Sequence, residues 1–317
     1  MHATQFQPTR IAVFGEALVD QFSSGPVVGG APFNVARHLA AFGMQPLTLS
    51  AVGIDAAAAT VRAEFVRYGM RESGLQTLAH IQTGIVDVAT DAAGGHVFSI
   101  RDDCAYDQIG MAALEVVQRE LVPQGWLYFG TLALRAAASH QTWQALVTTH
   151  QGPTYFDLNW RANQVDRQIV LAALGASTVL KVNEEELAML LSWDDVQHTS
   201  APSTWQTGQT DTVIAEFIAR FPKLERLIVT CGADGYASFD RHGRCDARGG
   251  VARAIQLVDT VGAGDAFSSV VLAGLLQDWP WTKILERAND FAAAICEVRG
   301  AVPASLDKYD SWTKSWK

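Results

Sequence analysis

Short apolar segments recur along this chain with room for a helix between successive pairs, and that alternation constrains its fold most strongly. Residues 11–14, 47–52, 127–129, 155–158, 179–182 and 227–230 read as buried parallel strands. Between them, residues 34–42, 59–68, 139–148 and 213–221 carry helix-compatible patterns. Parallel neighbours need a crossover connection, which a helix supplies. The expected fold is therefore α/β: a doubly wound, mostly parallel sheet flanked by helices, with ligands at the strand C-termini. Two segments break the rhythm. Gly84–Thr90 and His96–Ile100 are β-like, and the Asp91-Ala92-Ala93-Gly94-Gly95 sequence between them reads as a hairpin turn. Together with residues 21–28 they would build a small β-sheet lid, inserted at about residues 21–30 and 84–104. An ordinary edge hairpin accounts for the pattern equally well. Residues 198–212, rich in Ser, Thr, Gln and Pro, read as a surface loop.

With 317 residues the chain can hold one large α/β domain or two smaller ones, and a single domain over residues 1–317 is the expectation. Hydrophobic residues at 49% against 18% charged indicate a core-forming globular protein. A net charge of −9 argues against a polyanion-binding surface, and so against nucleic acid, but leaves room for a local phosphate pocket. Four scattered cysteines (Cys104, Cys231, Cys245, Cys296) show no zinc-ligand or disulfide-framework spacing. Residues 1–10 lack a basic region followed by an apolar stretch. No apolar run reaches the roughly 18 residues of a membrane span. A soluble, cytoplasmic protein without a membrane partner is expected.

The run Asp259-Thr260-Val261-Gly262-Ala263-Gly264-Asp265-Ala266-Phe267 carries the sharpest chemical signal. It follows a strand-like segment (residues 254–258) and leads into apolar, helix-compatible residues 266–276. A small-residue turn at a helix N-terminus is an anion site, because unpaired N–H groups and the macrodipole both face outward there. Asp265 is the odd member: a carboxylate beside an anion hole repels the anion unless it does chemistry. Beside a transferring phosphoryl group it can take the proton of the attacking hydroxyl. As an isolated motif the same Asp reads as a helix cap. Upstream, Gly15-Glu16-Ala17-Leu18-Val19-Asp20 follows the first strand, and Gly29-Gly30-Ala31-Pro32-Phe33-Asn34 opens the next helix. Asp20 and Asn34 offer the acceptors and donors a polyol needs, and Gly29 and Gly30 leave space against the backbone. A strand-end turn and a glycine hinge are the plain alternative. The G-x-G-x-x-G and G-x-x-x-x-G-K-S/T patterns are absent, which weakens dinucleotide and P-loop readings.

The Asp259–Phe267 string resembles the C-terminal signature of the ribokinase-like (PfkB-type) sugar kinases, D-T-x-G-A-G-D-x-F, and the resemblance runs from about residue 11 to 304. It implies that Asp265 is the catalytic base and that the N–H groups of Gly262, Ala263, Gly264 and Asp265 bind charge on the phosphoryl group. Where the family has Gly or Ala soon after the Phe, this chain has Ser269-Val270-Val271, read as altered helix packing behind the site. The G-E-x-L-x-D and G-G-A-P-x-N patterns assign Asp20, Gly29, Gly30 and Asn34 to the sugar; Glu16 is left open.

Phe156-Asp157-Leu158-Asn159-Trp160-Arg161 resembles the D-x-N-x-R element of fructokinase-like members. That implies Asp157, Asn159 and Arg161 at the sugar–phosphate junction, unless the segment is a strand-to-loop corner held by local bonds. Asn183 and Glu186 form the family's N-x-x-E, implying an Asn near the phosphates and a Glu that organises Mg2+ through water. The same spacing is a helix capping arrangement, and both can hold together. Thr230, Gly232 and Gly235 resemble the T-x-G-x-x-G nucleotide loop, and Asn289 falls on the adenine-side helix. Gly130–Arg135 and Ile100–Asp107 look like segments of bacterial fructokinase-like members, which adds Arg101 to the sugar contacts. Asp102 and Asp103 make an acidic lid edge, ill suited to an acidic sugar. The resemblance thus implies an ATP- and Mg2+-dependent sugar kinase, with room for a monovalent cation, a lid across the sugar and a homodimer through that lid. D-fructose, phosphorylated on its 6-hydroxyl, is the leading acceptor. Kinases of 2-keto-3-deoxygluconate, ribose or a nucleoside, and a non-catalytic sugar or nucleotide sensor, are the alternatives.

Overall fold

Strand β1 (Thr9–Phe14) is apolar and buried along almost its whole length, so it is fit only for the middle of a sheet covered on both faces. The structure is a computed structural model describing residues 8–90, 96–193, 208–250 and 256–316. After β1 come β2 (Leu18–Phe22), β3 (Gly25–Gly29), β4 (Leu47–Val52), β5 (Leu75–Thr77), β6 (Gly84–Thr90), β7 (His96–Ile100) and β8 (Leu121–Phe129). The remaining strands are β9 (Thr154–Asp157), β10 (Val179–Asn183), β11 (Arg226–Thr230), β12 (Tyr236–Asp240) and β13 (Cys245–Gly249). The helices are α1 (Ala31–Ala41), α2 (Ala56–Arg67), α3 (Ala112–Glu120), α4 (Ala137–Thr149) and α5 (Arg167–Gly175). They continue with α6 (Glu184–Ser192), α7 (Gly208–Ala219), α8 (Ala263–Leu276), α9 (Trp281–Ile295) and α10 (Asp307–Trp316).

Nine strands form one sheet in the order β13-β12-β11-β10-β9-β8-β1-β4-β5. From β5 to β11 every pairing is parallel, and β12 and β13 add antiparallel to the edge. The chain winds outward from β1 through β4 to β5, then crosses to β8 and winds the other way, so the order reverses between β1 and β8. Ligands of doubly wound sheets sit above such a reversal, at the strand C-termini. The doubly wound expectation is met, and each of the six expected buried parallel strands has its counterpart. Strands β5, β12 and β13 were not foreseen: β5 spans three residues, and β13 alternates half-buried with exposed positions and carries no apolar run.

Helix α8 is buried on nearly every side from Ala266 to Gly274, packed with α1 and α9 on one face of the sheet around Phe33, Phe267 and Phe291. The opposite face is filled by Phe129, Trp143, Phe156 and Leu174. Among the described residues no helix is long and apolar enough to cross a membrane.

The lid is a separate sheet in the order β3-β2-β6-β7. Residues 21–28, read as one β-like piece, are the ends of two antiparallel strands joined at Ser23-Ser24, with Asp20 opposite Val27. Strand β2 also pairs in parallel with β6, placing Asp20 opposite Val86. The expected turn at residues 91–95 lies outside the described residues. Two expectations need correction. Residues 256–258 are not a strand; Leu257 and Val258 are exposed, and the N–H groups of Val258 and Asp259 both donate to the Cys296 carbonyl instead of a ladder. Residues 254–255 lie outside the described set. Residues 208–212 belong to α7 and not to the loop, because a helix's first turn tolerates polar residues that periodicity overlooks; residues 198–207 lie outside the described set.

Candidate active site

Gly262 begins the site. It sits at φ 80, and a Cβ on it would lie 2.4 Å from the Ala301 Cβ, so only glycine fits both the conformation and the space. Asp259 braces this turn: its carboxylate accepts from the Val261 N–H at 3.0 Å and from the Gly300 N–H at 2.9 Å. The turn opens directly into α8, with Asp265 in the first helical turn.

The Asp265 carboxylate accepts a hydrogen bond from the Asn34 amide at 2.7 Å. Asn34 is buried on α1, and its oxygen accepts from Arg37. Because a guanidinium only donates, Arg37 fixes which end of the Asn34 amide faces Asp265. Arg37 is itself held by Glu64 on α2 at 2.8 Å and by the Val28 carbonyl at 2.9 Å. Behind Asp265 lies a second buried group. Asp157, at the end of β9, accepts from Lys181 Nζ at 3.0 Å, from Ser268 Oγ on α8 at 2.7 Å and from the Tyr128 hydroxyl at 3.4 Å. Enclosure raises the Asp265 pKa to about 6; the Asn34 bond opposes the rise, Asp157 adds to it, and Lys181 and Arg161 oppose it. A carboxyl poised there is ionised at neutral pH and basic enough to accept a proton.

Two further carboxyls share the cleft. Asp20 is half-buried on the lid and its pKa rises to about 6 by desolvation, against the pull of Arg37 and Arg161. Glu16 is buried, with Oε1 accepting from the Ala31 N–H at 3.3 Å and Oε2 without a hydrogen-bond partner among the described residues. Burial pushes Glu16 to about 7, and the nearby Asp265 charge contributes to the rise. Arg161 is exposed, yet its charge reaches Glu16, Asp20 and Asp265. The arrangement is a glycine-rich turn at a helix N-terminus beside a group of carboxyls, with the exposed Arg161 guanidinium acting on all three.

The sequence-derived residues divide in two. Gly262, Ala263, Gly264, Asp265, Asn34, Asp20 and Arg161 gather around this cleft. Gly29 and Gly30 border it, but a Cβ on Gly29 would strike the Asp20 carboxylate, and one on Gly30 the Glu16 carbonyl. The space they leave is filled by the protein itself and not held open against a ligand. Asn159 takes the left-handed conformation, φ 40, in the corner after β9. Asp157 turns inward to Lys181 and does not line the open cleft. Arg101 lies on the lid surface in a two-pronged pair with Asp87, both bonds 2.7 Å. The side chain of Asp102 is 85% exposed, so it lies open to water and not over an enclosed sugar.

On the other side, Asn183 and Glu186 form a reciprocal cap on α6, each side chain bonded to the other's N–H at 2.8 Å. The second Glu186 oxygen accepts from the Trp160 N–H at 2.7 Å. Thr230 Oγ1 donates to the Val182 carbonyl at 3.3 Å. Gly232 and Gly235 both have positive φ, and Gly235 lies against the Gly249 backbone. Asn289 is buried and donates to the Gly250 carbonyl at 2.9 Å, tying α9 to the end of β13. Lys181, Ser268 and Arg37 escaped the sequence reading, and Asp259 was read as the first residue of the motif with no role of its own. Ser269 donates to the Ala266 carbonyl within its own helix and leaves the site alone.

Comparison with known proteins identifies the family and the fold. The family model for the pfkB family carbohydrate kinases matches residues 6–308. A fructokinase from Klebsiella pneumoniae is 30% identical over 307 residues, covering 90% of each chain. Among solved structures, a double mutant of fructokinase from Vibrio cholerae, with fructose, ADP and potassium ion bound, superposes with a TM-score of 0.74 at 22% identity, covering 95% of this chain and 96% of that one. A 2-dehydro-3-deoxygluconokinase from Thermotoga maritima superposes at 0.79 with 16% identity, covering 96% and 99%. These neighbours share the ribokinase-like fold, and the family's enzymes are phosphotransferases with an alcohol group as acceptor. Since the match takes in both the lid and the anion turn, the chain belongs to the pfkB family of carbohydrate kinases.

Proposed function

We propose that this kinase transfers the γ-phosphoryl group of ATP to a neutral ketohexose, D-fructose, at its 6-hydroxyl. The observation that carries the reading is Asp265: a carboxyl of raised pKa, oriented by Asn34 and Arg37, at the mouth of a helix-borne anion turn. Asp265 takes the hydroxyl proton as the acceptor oxygen attacks, while the N–H groups of residues 262–265 face the charge on the transferring phosphoryl group. Asn34 is then a positioning residue for the base. Asp20 and Arg161 read hydroxyls of the sugar. Asn183, Thr230, Gly232, Gly235 and Asn289 lie on the ATP side, Asn289 acting through the backbone it anchors. The fructokinase relatives support fructose, and the 2-dehydro-3-deoxygluconokinase fold neighbour keeps the acidic sugar as the competing acceptor. The test is ATP-dependent turnover of fructose to a product esterified at the 6-position; failure to turn over any neutral sugar refutes the proposal.

Magnesium would be held through Glu186. Both its oxygens already accept backbone N–H bonds, which leaves lone pairs for ordered water but not a site for direct ligation. Among the described residues no cluster of three or more acidic, His or Cys side chains could cage an ion. That fits an ion that keeps most of its waters and leans on substrate phosphates. When bound, Mg2+ would neutralise charge on the phosphates. Glu186→Gln is expected to raise the magnesium concentration needed for half-maximal rate. It should also cost about 1 kcal/mol of stability, since one backbone N–H then faces an amide in place of a carboxylate. Magnesium titration of the rate, beside thermal unfolding, separates the effects; a lowered melting point with unchanged magnesium dependence leaves only the cap. Potassium in the Vibrio cholerae structure supports a monovalent cation here also. Exposed Val27, Val97 and Phe98 on the lid are where a second copy would dock.

A further inference from the structure

A cation lies directly behind the anion turn. Lys181 is buried at the centre of β10, and a Cβ on Gly264 would fall 2.9 Å from its Nζ. Gly264 is not among the glycines held at positive φ, and the atom that a side chain there would meet first is the ammonium nitrogen. Nζ bonds both oxygens of Asp157, at 3.0 and 3.3 Å. Asp157 in turn accepts from Ser268, one turn beyond Asp265 on α8. Tyr155 contacts the same serine at 3.2 Å. Sheet and helix α8 thus meet at Ser268, whose hydroxyl bonds the Asp157 member of the ion pair and Tyr155.

We infer that the Lys181–Asp157 pair is a positioning device for phosphoryl transfer: Lys181 is a fixed positive charge behind the Gly262–Asp265 turn, held there by Asp157. The two members act on Asp265 with opposed fields. The inference rests on Asp265 being the base. Every charged or titratable neighbour of Asp265 bears on the sign. Glu16, after β1, and Asp157, on β9, repel its negative charge; Lys181, on β10, and Arg161, after β9, attract it. Asn34 on α1 donates to it, and Tyr128 on β8 is neutral, its own ionisation suppressed by burial. Removing Lys181 therefore raises the pH at which Asp265 ionises, and removing the Asp157 charge lowers it. A bond that merely stiffened the fold would do neither.

The test uses Lys181→Met, Asp157→Asn and the double variant, with Asp265→Asn beside them. The acid limb of kcat/KM is expected to move up by about one pH unit in Lys181→Met and down by a similar amount in Asp157→Asn. In the double variant it should return near wild type, while kcat stays about tenfold low for want of the cation, a smaller loss than removing a direct donor to the transition state. Either single variant leaves a lone buried charge and can fail to fold, whereas removing both members of a buried pair is often tolerated. In that case the double variant decides: a wild-type kcat overturns the inference. So do single-variant limbs that stay put or move together. An active Asp265→Asn refutes the base itself; an inactive one with unmoved limbs refutes only the role of the pair.

Discussion

Asp265→Asn is expected to lower kcat by about a hundredfold to ten-thousandfold, the range for loss of a general base. KM for ATP should stay close to wild type, because the turn's N–H groups remain. The fold should not suffer. The Asp265 pKa is raised to about 6 in the folded protein, so the group favours the folded state at low pH and loses that advantage as pH rises through 6. Replacing it with an amide should therefore raise the melting temperature at pH 7.5, and the gain should shrink as pH falls below about 6. Asn34 can still donate to the new side-chain oxygen. Parallel activity and thermal unfolding across pH check both statements. If the folded variant keeps more than about a tenth of wild-type turnover, Asp265 is a helix cap and not the base.

Gly262→Ala should be nearly as damaging, for a different reason. Residue 262 has φ 80, and the added methyl would lie 2.4 Å from the Ala301 Cβ and 2.5 Å from its Cα. Neither atom ends a flexible side chain, so the turn or the Gly300-Ala301 segment must move. The N–H groups that face the phosphoryl group then lose their aim, and loss of one such donor costs about 10²–10³ in kcat. A strained backbone adds about 1–3 kcal/mol of destabilisation. The loss should fall on kcat more than on sugar KM, since Asp20 and Arg161 lie elsewhere. A fall in stability with turnover intact would show that the turn's geometry does not matter to the chemistry.

The alternation of apolar and helical segments was legible because parallel strands buried on both faces have no other way to be written. The turn at Gly262 and the helix after it were legible because small residues before an apolar helix have few explanations. What escaped was the direction in which side chains point. Arg101 and Asp102 stand close in sequence to the lid, but nothing local says which face they occupy; both proved exposed on the lid or its edge. Their charge therefore does little to reject an acidic sugar, and Glu16 and Asp20 are the carboxyls placed to do so. Asp157 looked like a cleft residue until Lys181, 24 positions later, was seen beside it. A lysine inside an apolar strand carries no local sign of its partner, which only the β9–β10 register supplies. Arg37 was missed likewise, since its role depends on a third element, α2, through Glu64.

Glu16 and Asp20 line the cleft with carboxyls; Arg37, itself paired with Glu64, and Arg161 oppose Asp20, and Arg161 opposes Glu16. Asp20 in its ionised form, joined by Glu16 above about pH 7, would repel a sugar carboxylate, increasingly so as the site closes and water leaves. The measurement that bears most directly on this account is kcat/KM for D-fructose, 2-keto-3-deoxygluconate, ribose and adenosine under saturating ATP and magnesium. Fructose is expected to lead the acidic sugar by about tenfold or more, a difference of about 1.4 kcal/mol in transition-state stabilisation. A tenfold lead for 2-keto-3-deoxygluconate would mean that Arg161 outweighs the carboxyls and would contradict the account.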